Sequence, residues 1–397
     1  MLTYREVFRV PQFGPLFATG ALQGAASTTS GLALGTLVHA ATGSPLLATL
    51  SMFGSSLAQL FGATLLMSAA DRLPPRAALS CAALVFGAGT ALLAVPGLPL
   101  PAVFAIVLGE GVVAAVVGGV RYGLLTEVLP KDAYLLGRSV LNMCSGTTQI
   151  CGYAAGGVLV AVLSPRGTLL VAAALYVAGA GAARFGLDRR PPRVAGRPSA
   201  GETWRTNRLL LSSAPRRRVY LMLWLPNGLV VGCESLFVPY MPDRAGLLFA
   251  CAALGMLVGD TMAGRFVPRR WRGRLATPLL LLLAVPYLLF ALRPALPLAL
   301  VLVTLASAGF SASLLLQERL MALTPDPMAG QALGLHSSGM LAMQGVAAAL
   351  AGSLAELTSG ATAITVLAAA SVAVTAALAP GLRRDRGAVD GRLPVKA

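Results

Sequence analysis

The segment RFGLDRRPPRVAGRPSAGETWRTNRLLLSSAPRRR, residues 184–218, separates two long apolar blocks of this 397-residue chain. It contains ten arginines and only two acidic residues, Asp188 and Glu202. Because one arginine at the centre of a bilayer costs roughly 2.5–3.5 kcal/mol on insertion scales, we expect this segment to lie in water. Basic residues between membrane spans favour the cytoplasmic side. The segment therefore predicts a basic cytoplasmic linker between two membrane-embedded halves.

The composition of the whole chain is typical of a polytopic membrane protein. Hydrophobic residues make up 56% of it and charged residues 12%, with a mean hydropathy of +0.76. Too few polar residues remain to cover the surface of a soluble globular protein of this length. The net charge of +16 comes mostly from short segments between apolar runs, where basic residues set topology and contact anionic lipid. We therefore expect anionic lipid at the basic loops and no nucleic-acid partner.

Apolar runs of about twenty residues, enough for a helix to cross the hydrocarbon, recur along the chain. They predict an all-α protein with twelve transmembrane helices in two pseudo-symmetric six-helix bundles. The predicted spans are 14–38, 45–69, 77–95, 101–122, 138–163 and 168–187, then 219–240, 245–264, 276–293, 296–316, 330–352 and 360–380. The corresponding domains are 1–187, the linker 188–218, 219–382 and a cytoplasmic tail 383–397. Ser199 and Glu202 have capping-box spacing, which leaves a short linker helix and a disordered connector as alternatives.

Loop charge predicts the orientation. The odd-numbered connections between spans contain only Arg166, Arg244 and Arg293 of the 31 lysines and arginines. The remaining basic residues lie in the termini, the linker and the even-numbered connections, so both termini should be cytoplasmic. Arginine greatly outnumbers lysine, which is typical of a GC-rich bacterial genome. We therefore expect a multi-pass protein of a bacterial plasma membrane.

A short basic sequence recurs after the second span of each half. Arg72-Leu-Pro-Pro-Arg76 and Arg265-Phe-Val-Pro-Arg269 share the pattern Arg-x-x-Pro-Arg, 193 positions apart. Two six-span halves with the same turn indicate an internal duplication. At these residues the sequence resembles the major facilitator superfamily of secondary transporters.

The resemblance implies that this loop clamps the two halves together at the cytoplasmic face, through charge pairs that form and break as the halves rock. The residues implied to form the gate are Asp71, Arg72 and Arg76, with Asp260, Arg265 and Arg269 in the second half. Met67 and Pro75 stand where the family pattern has glycine. A basic turn that only sets topology is the alternative interpretation.

The fifth predicted span is rich in glycine. Gly152 and Gly156 share one helical face of small or polar residues, and Gly157 follows in the same glycine-rich motif, which predicts close packing of a neighbouring helix. The pattern is also similar to one in antiporter members of the superfamily, although Ala154 and Ala155 leave it without the proline expected there. That likeness implies an exporter.

Two carboxyl groups lie well inside predicted spans, Glu110 in the fourth and Glu234 in the seventh. An ionised carboxylate is costly in hydrocarbon, so each should be protonated, paired or in contact with a wet cavity. In the superfamily, spans one, four, seven and ten are implied to line a central cavity, which makes both acids candidate proton carriers. A protonated acid that only bonds a neighbouring helix and a carboxylate that binds a cationic substrate directly are the alternatives. Gln23, Asn227 and Gln317 are candidates for cavity lining or for contacts between helices.

The predicted function is secondary transport. The sequence has no phosphate-binding loop, hydrolase motif or metal-ligand spacing, so we expect neither an enzyme nor a cofactor nor a metal site. Residues 122–130, 138–142 and 234–240 resemble a bacterial drug-efflux branch of the superfamily. This implies a monomeric, proton-coupled exporter of a drug-like or secondary-metabolite molecule. A proton-coupled importer of a small nutrient and a membrane sensor or scaffold are the alternatives.

Overall fold

A computed structural model describes residues 4–70, 73–129, 131–191, 200–325 and 328–390, and nearly all of them are helical. We name the membrane-length helices α1 to α12. In the first half they are α1 Phe13–Thr42, α2 Pro45–Ala70, α3 Pro75–Leu93, α4 Leu100–Val128, α5 131–163 and α6 165–186. In the second half they are α7 Ala214–Tyr240, α8 Ala245–Phe266, α9 Arg269–Leu288, α10 Leu296–Ala322, α11 Ala329–Leu357 and α12 Gly360–Asp390.

Helices α5 and α6 meet at a sharp break in the stretch Lys131–Gly186. Ser164 has φ 72° and ψ 163°, which no helix accommodates. Its side-chain oxygen accepts a hydrogen bond from the Gly167 amide at 3.4 Å, and Pro165 takes the first helical position, where its missing donor costs nothing. Because of these features, α6 begins at residue 165, three residues before the predicted start of the span at residue 168.

Nine segments of the described chain are long and apolar enough to cross a membrane by length and composition alone. One of them, Thr147–Gly186, includes the break between α5 and α6 and so provides two crossings. Apolar side chains on the outside, such as Val162 at 74% exposure, form the surface that lipid would cover.

Two features lie at the edges of the bundles. Of the two alternatives for the linker, the structure has the short helix, Ala200–Ser212, and its Leu210 is fully buried in the core of the second half. Gln331 at the start of α11 also donates a hydrogen bond to Asn207 of this helix at 3.3 Å. At the other edge, α12 continues to Asp390, well past the predicted limit at residue 380.

The two halves contact each other along two seams, one between α2 and α11 and the other between α5 and α8. We call the end of the bundle that carries the helix Ala200–Ser212 the linker face and the opposite end the far face. Near the far face, a Cβ on Gly352 of α11 would lie 2.6 Å from the Leu46 Cα of α2. Ser44 also donates a hydrogen bond to Glu356 across the same seam. The two halves are therefore in close contact at the far face.

Candidate functional site

Glu234 lies within the second half, on α7, and is only 5% exposed. Its Oε1 atom accepts hydrogen bonds from the Tyr287 hydroxyl of α9 and the Ser307 hydroxyl of α10, both at 3.3 Å. Two hydroxyl donors stabilise a buried carboxyl group that would otherwise lack polar partners. Three helices therefore meet at this carboxyl, and a change in its charge would act on all three.

Glu110 occupies a comparable position in the first half, on α4. The Thr90 hydroxyl of α3 lies 3.5 Å from its Oε1, at the limit for a hydrogen bond. The neighbouring Gly89 makes room for the carboxyl, because a Cβ there would overlap Oε1. Tyr176 of α6 is within electrostatic reach of Glu110.

Each half thus contains a polar cluster built around one acid, with a hydroxyl partner and a tyrosine beside it. Ser27 and Ser30 of α1 lie close to the Tyr176 hydroxyl, so the first-half cluster joins α1, α3, α4 and α6. The second-half cluster joins α7, α9 and α10. The predicted roles of both acids in proton coupling, and their place on a central cavity, stay predictions.

A row of aromatic rings connects the α5–α8 seam to the Glu234 cluster. Tyr153 of α5 stacks on Phe249 of α8, with ring centroids 4.6 Å apart and an interplanar angle of 18°. Phe249 contacts Phe237 at 5.0 Å, and Phe237 lies 6.4 Å from Tyr287, which bonds Glu234. The packed rings therefore form an unbroken path of contacts from the seam to the hydrogen bond on the acid.

Gln23, one of the predicted cavity-lining residues, is a partner of Arg121. The Arg121 Nη2 atom of α4 donates a hydrogen bond to the Gln23 Oε1 atom of α1. Gly20, about one turn away on α1, leaves space for the guanidinium, whose Cζ would lie 3.8 Å from a Cβ at that position. Arg121 lies about two turns from the linker-face end of α4. The cation therefore contacts a neutral oxygen inside the first half.

The substitution Gln23→Leu tests whether this contact is structural. It removes one acceptor from Arg121, and we expect the free energy of unfolding to fall by roughly 1–3 kcal/mol, the usual cost of depriving a buried polar group of a partner. Denaturation of the purified protein in detergent measures the change. Gln149→Leu on the exposed side of α5 is the matched control and should change stability by less than about 0.5 kcal/mol. Equal stabilities of the two variants would mean that water replaces Gln23, as on a cavity wall.

Asn227 and Gln317 lie where α7 faces α10. Asn227 is 4% exposed, and its Nδ2 donates to the Ser313 hydroxyl at 3.5 Å. Its Oδ1 has no hydrogen-bond partner among the described residues. Gln317 is half-buried one turn beyond Ser313. The unpartnered amide oxygen could accept a hydrogen bond from water or a solute.

The predicted gate is only partly within the described residues. Asp71, Arg72 and the side chain of Arg269 lie outside them. Asp260 and Arg265 are both exposed at the linker-face end of α8. Arg76, at the start of α3, lines a basic cavity together with arginines of α6 and the residues after it.

Sequence reasoning missed Arg272, which makes the clearest ionic contact at this end of the second half. Its Nη1 lies 3.0 Å from the Glu318 Oε2 of α10, and its Nε donates to the Val267 carbonyl at 3.2 Å. The sequence does show a run of basic residues after the repeated Arg-x-x-Pro-Arg turn. It does not indicate which arginine of that run contacts α10.

The three glycines of α5 contact two different helices. Gly152 and Gly156 lie against α1, where the Thr29 hydroxyl donates to the Gly152 carbonyl at 3.2 Å. Gly157 faces α8 instead, and a Cβ on it would lie 3.1 Å from the Gly246 Cα. One turn of α5 therefore packs the first half internally and also joins it to the second half.

A bundle of membrane helices in two halves, joined by seams and holding one acid in a polar cluster of each half, has the architecture of a secondary transporter. Residues 16–244 match the Major Facilitator Superfamily, more than half of the chain. The chain belongs to that superfamily, as its sequence predicted, and is a membrane transporter rather than an enzyme.

Solved transporters share the fold over almost the whole chain. A POT family transporter in complex with a thioalcohol-conjugated peptide superimposes with a TM-score of 0.73 and 12% identity, covering 93% of this chain and 96% of the other. A bacterial homologue of the human lysosomal transporter Spinster, inward-facing and unoccupied, gives 0.62 and 14% identity over 94% and 96% of the two chains. The predicted all-helical fold of two six-helix bundles is thereby confirmed.

One relative is similar in sequence as well. The lysophospholipid transporter LplT of Yersinia enterocolitica serotype O:8 / biotype 1B is 26% identical over 267 residues. The aligned part covers 59% of this chain and 64% of the relative, slightly under two thirds of its length.

Proposed function

We propose that this protein is a proton-coupled exporter, which moves an amphipathic small molecule from the linker face to the far face of a bacterial plasma membrane. The observation that carries the proposal is the Glu234 cluster. A carboxyl group held by Tyr287 and Ser307, and connected through aromatic rings to the α5–α8 seam, can link its protonation to the opening of that seam.

A drug-like or secondary-metabolite molecule is the substrate class we favour. The polar groups described inside the two halves are few and mostly neutral, which suits a solute with a large apolar part. Asn227 offers an unpartnered oxygen beside α10, and Arg121 with Gln23 offers a polar contact in the first half. Sugars and phosphorylated metabolites would need a denser set of hydrogen-bond donors.

A second candidate substrate is a single-chain phospholipid. The similarity to a lysophospholipid transporter favours it, and such a molecule is also amphipathic. Its phosphate would need a cation inside the bundle, and Arg121 of α4 is a basic side chain placed within the first half.

The orientation and the gate belong to the same proposal. The arginine-rich linker favours a cytoplasmic linker face, with both termini on that side. In this arrangement the residues near α2, α3, α8 and α9 at the linker face would clamp the cytoplasmic entrance: Asp71, Arg72, Arg76, Asp260, Arg265 and Arg269. The far-face contacts would form the extracellular closure.

Transport by the purified protein in proteoliposomes tests the proposal. We expect an imposed proton gradient to drive accumulation of a fluorescent amphiphile, and one proton moving through 100 mV can support about fiftyfold accumulation. Movement of the amphiphile opposite to the proton flow indicates antiport and therefore export. Parallel arms use a fluorescent lysophospholipid and an amino acid.

The three arms separate the candidate functions. If the proton gradient drives movement of the lysophospholipid alone, the substrate is a lipid and not a drug-like molecule. Movement of the amino acid in the same direction as protons would instead support the nutrient importer. Transport that is indifferent to the proton gradient in all arms would overturn proton coupling.

A further inference from the structure

Four arginines surround a cavity at the linker face, between the start of α3 and the end of α6. The cavity has a volume of about 380 Å³. Its basic lining residues are Arg76, Arg184, Arg189 and Arg190, and Ser80 adds a hydroxyl. Such a group of guanidinium ions is stabilised by an anion with several oxygens, and phosphate fits their planar donor geometry.

The nearby acidic side chains leave this cavity positively charged. Glu127 pairs with Arg190 at 3.3 Å, and Asp188 accepts a hydrogen bond from Gln12. Arg184, Arg189 and Asp188 are the charged groups that act electrostatically on Arg76. The Nε of Arg76 is buried and has no hydrogen-bond partner among the described residues. Among the described residues, four cations and two carboxylates therefore leave room for an added negative charge.

An apolar groove adjoins the basic cavity and runs between α3 and α4. Its volume is also about 380 Å³, and its walls are aliphatic apart from Cys81. Leu73 and Val85 on its rim are 41% and 50% exposed, so the groove opens towards lipid. From Pro75 to Val85, α3 rises about 15 Å, roughly the thickness of one hydrocarbon leaflet.

The two cavities lie side by side, because Pro74, Ala77 and Cys81 line both of them. We propose that the joined cavity binds an anionic phospholipid of the surrounding bilayer, with its phosphate on the arginines and an acyl chain along the α3–α4 groove. The charged end lies at the membrane surface and the apolar end at mid-bilayer, which is how a phospholipid is oriented. Glu110 is two residues beyond Val112, the innermost α4 residue of the groove, so the lipid would contact the helices that hold this acid.

Cys81 reports on occupancy, because it is exposed where the two cavities join. The test compares the labelling rate of Cys81 by a neutral maleimide in nanodiscs of phosphatidylcholine and of phosphatidylcholine with phosphatidylglycerol. We expect labelling to be at least about fivefold slower with the anionic lipid, the effect of a single basic contact near a membrane. The exposed Cys151 of α5 in the same molecules is the internal control and should react equally in both.

Two pairs of variants separate specific binding from general attraction. Arg184→Gln with Arg189→Gln should abolish the protection, because two basic contacts contribute roughly thirtyfold in binding. Arg205→Gln with Arg208→Gln removes the same charge from exposed positions of the linker helix and should preserve it. Ala77→Phe should abolish protection by filling the groove, whereas Ala88→Phe, exposed farther along α3, should not.

A final arm distinguishes a lipid from a free anion. Inorganic phosphate added to phosphatidylcholine nanodiscs should leave Cys81 labelling unchanged. If phosphate alone protects Cys81, the cavity is an anion site and the lipid proposal is wrong. The proposal is also overturned if the anionic lipid gives no protection, or if the control arginine pair matters as much as the cavity pair.

Discussion

Glu234→Gln is expected to remove proton-driven accumulation of substrate in proteoliposomes, leaving only exchange down the substrate gradient. Glutamine keeps the size of the side chain and can still bond Tyr287 and Ser307, so the helices α7, α9 and α10 should stay packed. What it loses is the ability to bind and release a proton. The accumulation supported by a proton gradient, about fiftyfold per proton at 100 mV, should fall to none.

The control for this prediction is Glu110→Gln in the first half. If Glu234 is the proton carrier, this variant should keep most of the accumulation, since its carboxyl bonds Thr90 within a different cluster. Loss of accumulation in Glu110→Gln alone would transfer the role to the first half. Full accumulation in both variants would contradict the assignment of either acid as carrier.

A substitution at Tyr287 tests the role of Glu234 in a second way. Tyr287→Phe keeps the ring in the aromatic row but removes one of the two hydroxyl donors to Glu234. A proton carrier should respond with an altered pH profile of transport, because the hydrogen bond changes the balance between the charged and neutral acid. A purely structural acid would show only a change in stability.

The centres of the membrane helices could be predicted from the sequence, whereas their ends could not. An apolar run is long enough to identify a span, because the hydrocarbon imposes its length. Helix ends depend on local capping, as at Ser164 and Pro165, where α6 begins before its apolar run. Helix α12 similarly extends beyond its apolar run to Asp390, through residues that hydropathy assigns to a tail.

The candidate site could also be predicted only in part from the sequence. Glu110 and Glu234 were found because a carboxyl within an apolar run is conspicuous in a sequence. Their partners were not, since Tyr287 and Ser307 are 53 and 73 positions from Glu234 and are ordinary residues of apolar helices. Which helices become neighbours depends on tertiary packing, and one sequence gives no measure of it.

Gly246→Ala is expected to open the far face. The backbones of α5 and α8 approach so closely there that a Cβ on Gly246 would lie 2.6 Å from the Gly157 Cα and 3.0 Å from the Tyr153 carbonyl oxygen. Backbone atoms cannot rotate away, so the seam must separate. Overpacking of this kind costs about 1–3 kcal/mol, which shifts the population from far-face closed to far-face open by roughly 5- to 150-fold.

Spin labels on exposed residues of the two halves measure that shift. With Cys81, Cys151 and Cys251 replaced by serine, labels at Ala41→Cys and Thr358→Cys lie at far-face helix ends in different halves. Gly246→Ala should move their distance distribution to longer values.

Gly264→Ala, on the same helix with open space around its Cβ position, is the matched control and should leave the distribution unchanged. Because Tyr153 stacks on Phe249 in this seam, separation of α5 and α8 should also lengthen the ring contacts that lead to Tyr287. Proton-driven accumulation should therefore fall in Gly246→Ala although Glu234 is intact. If the far face opens but accumulation does not fall, the seam and the acid are not coupled. If the distance distribution does not change, the glycine contact does not stabilise the closed state.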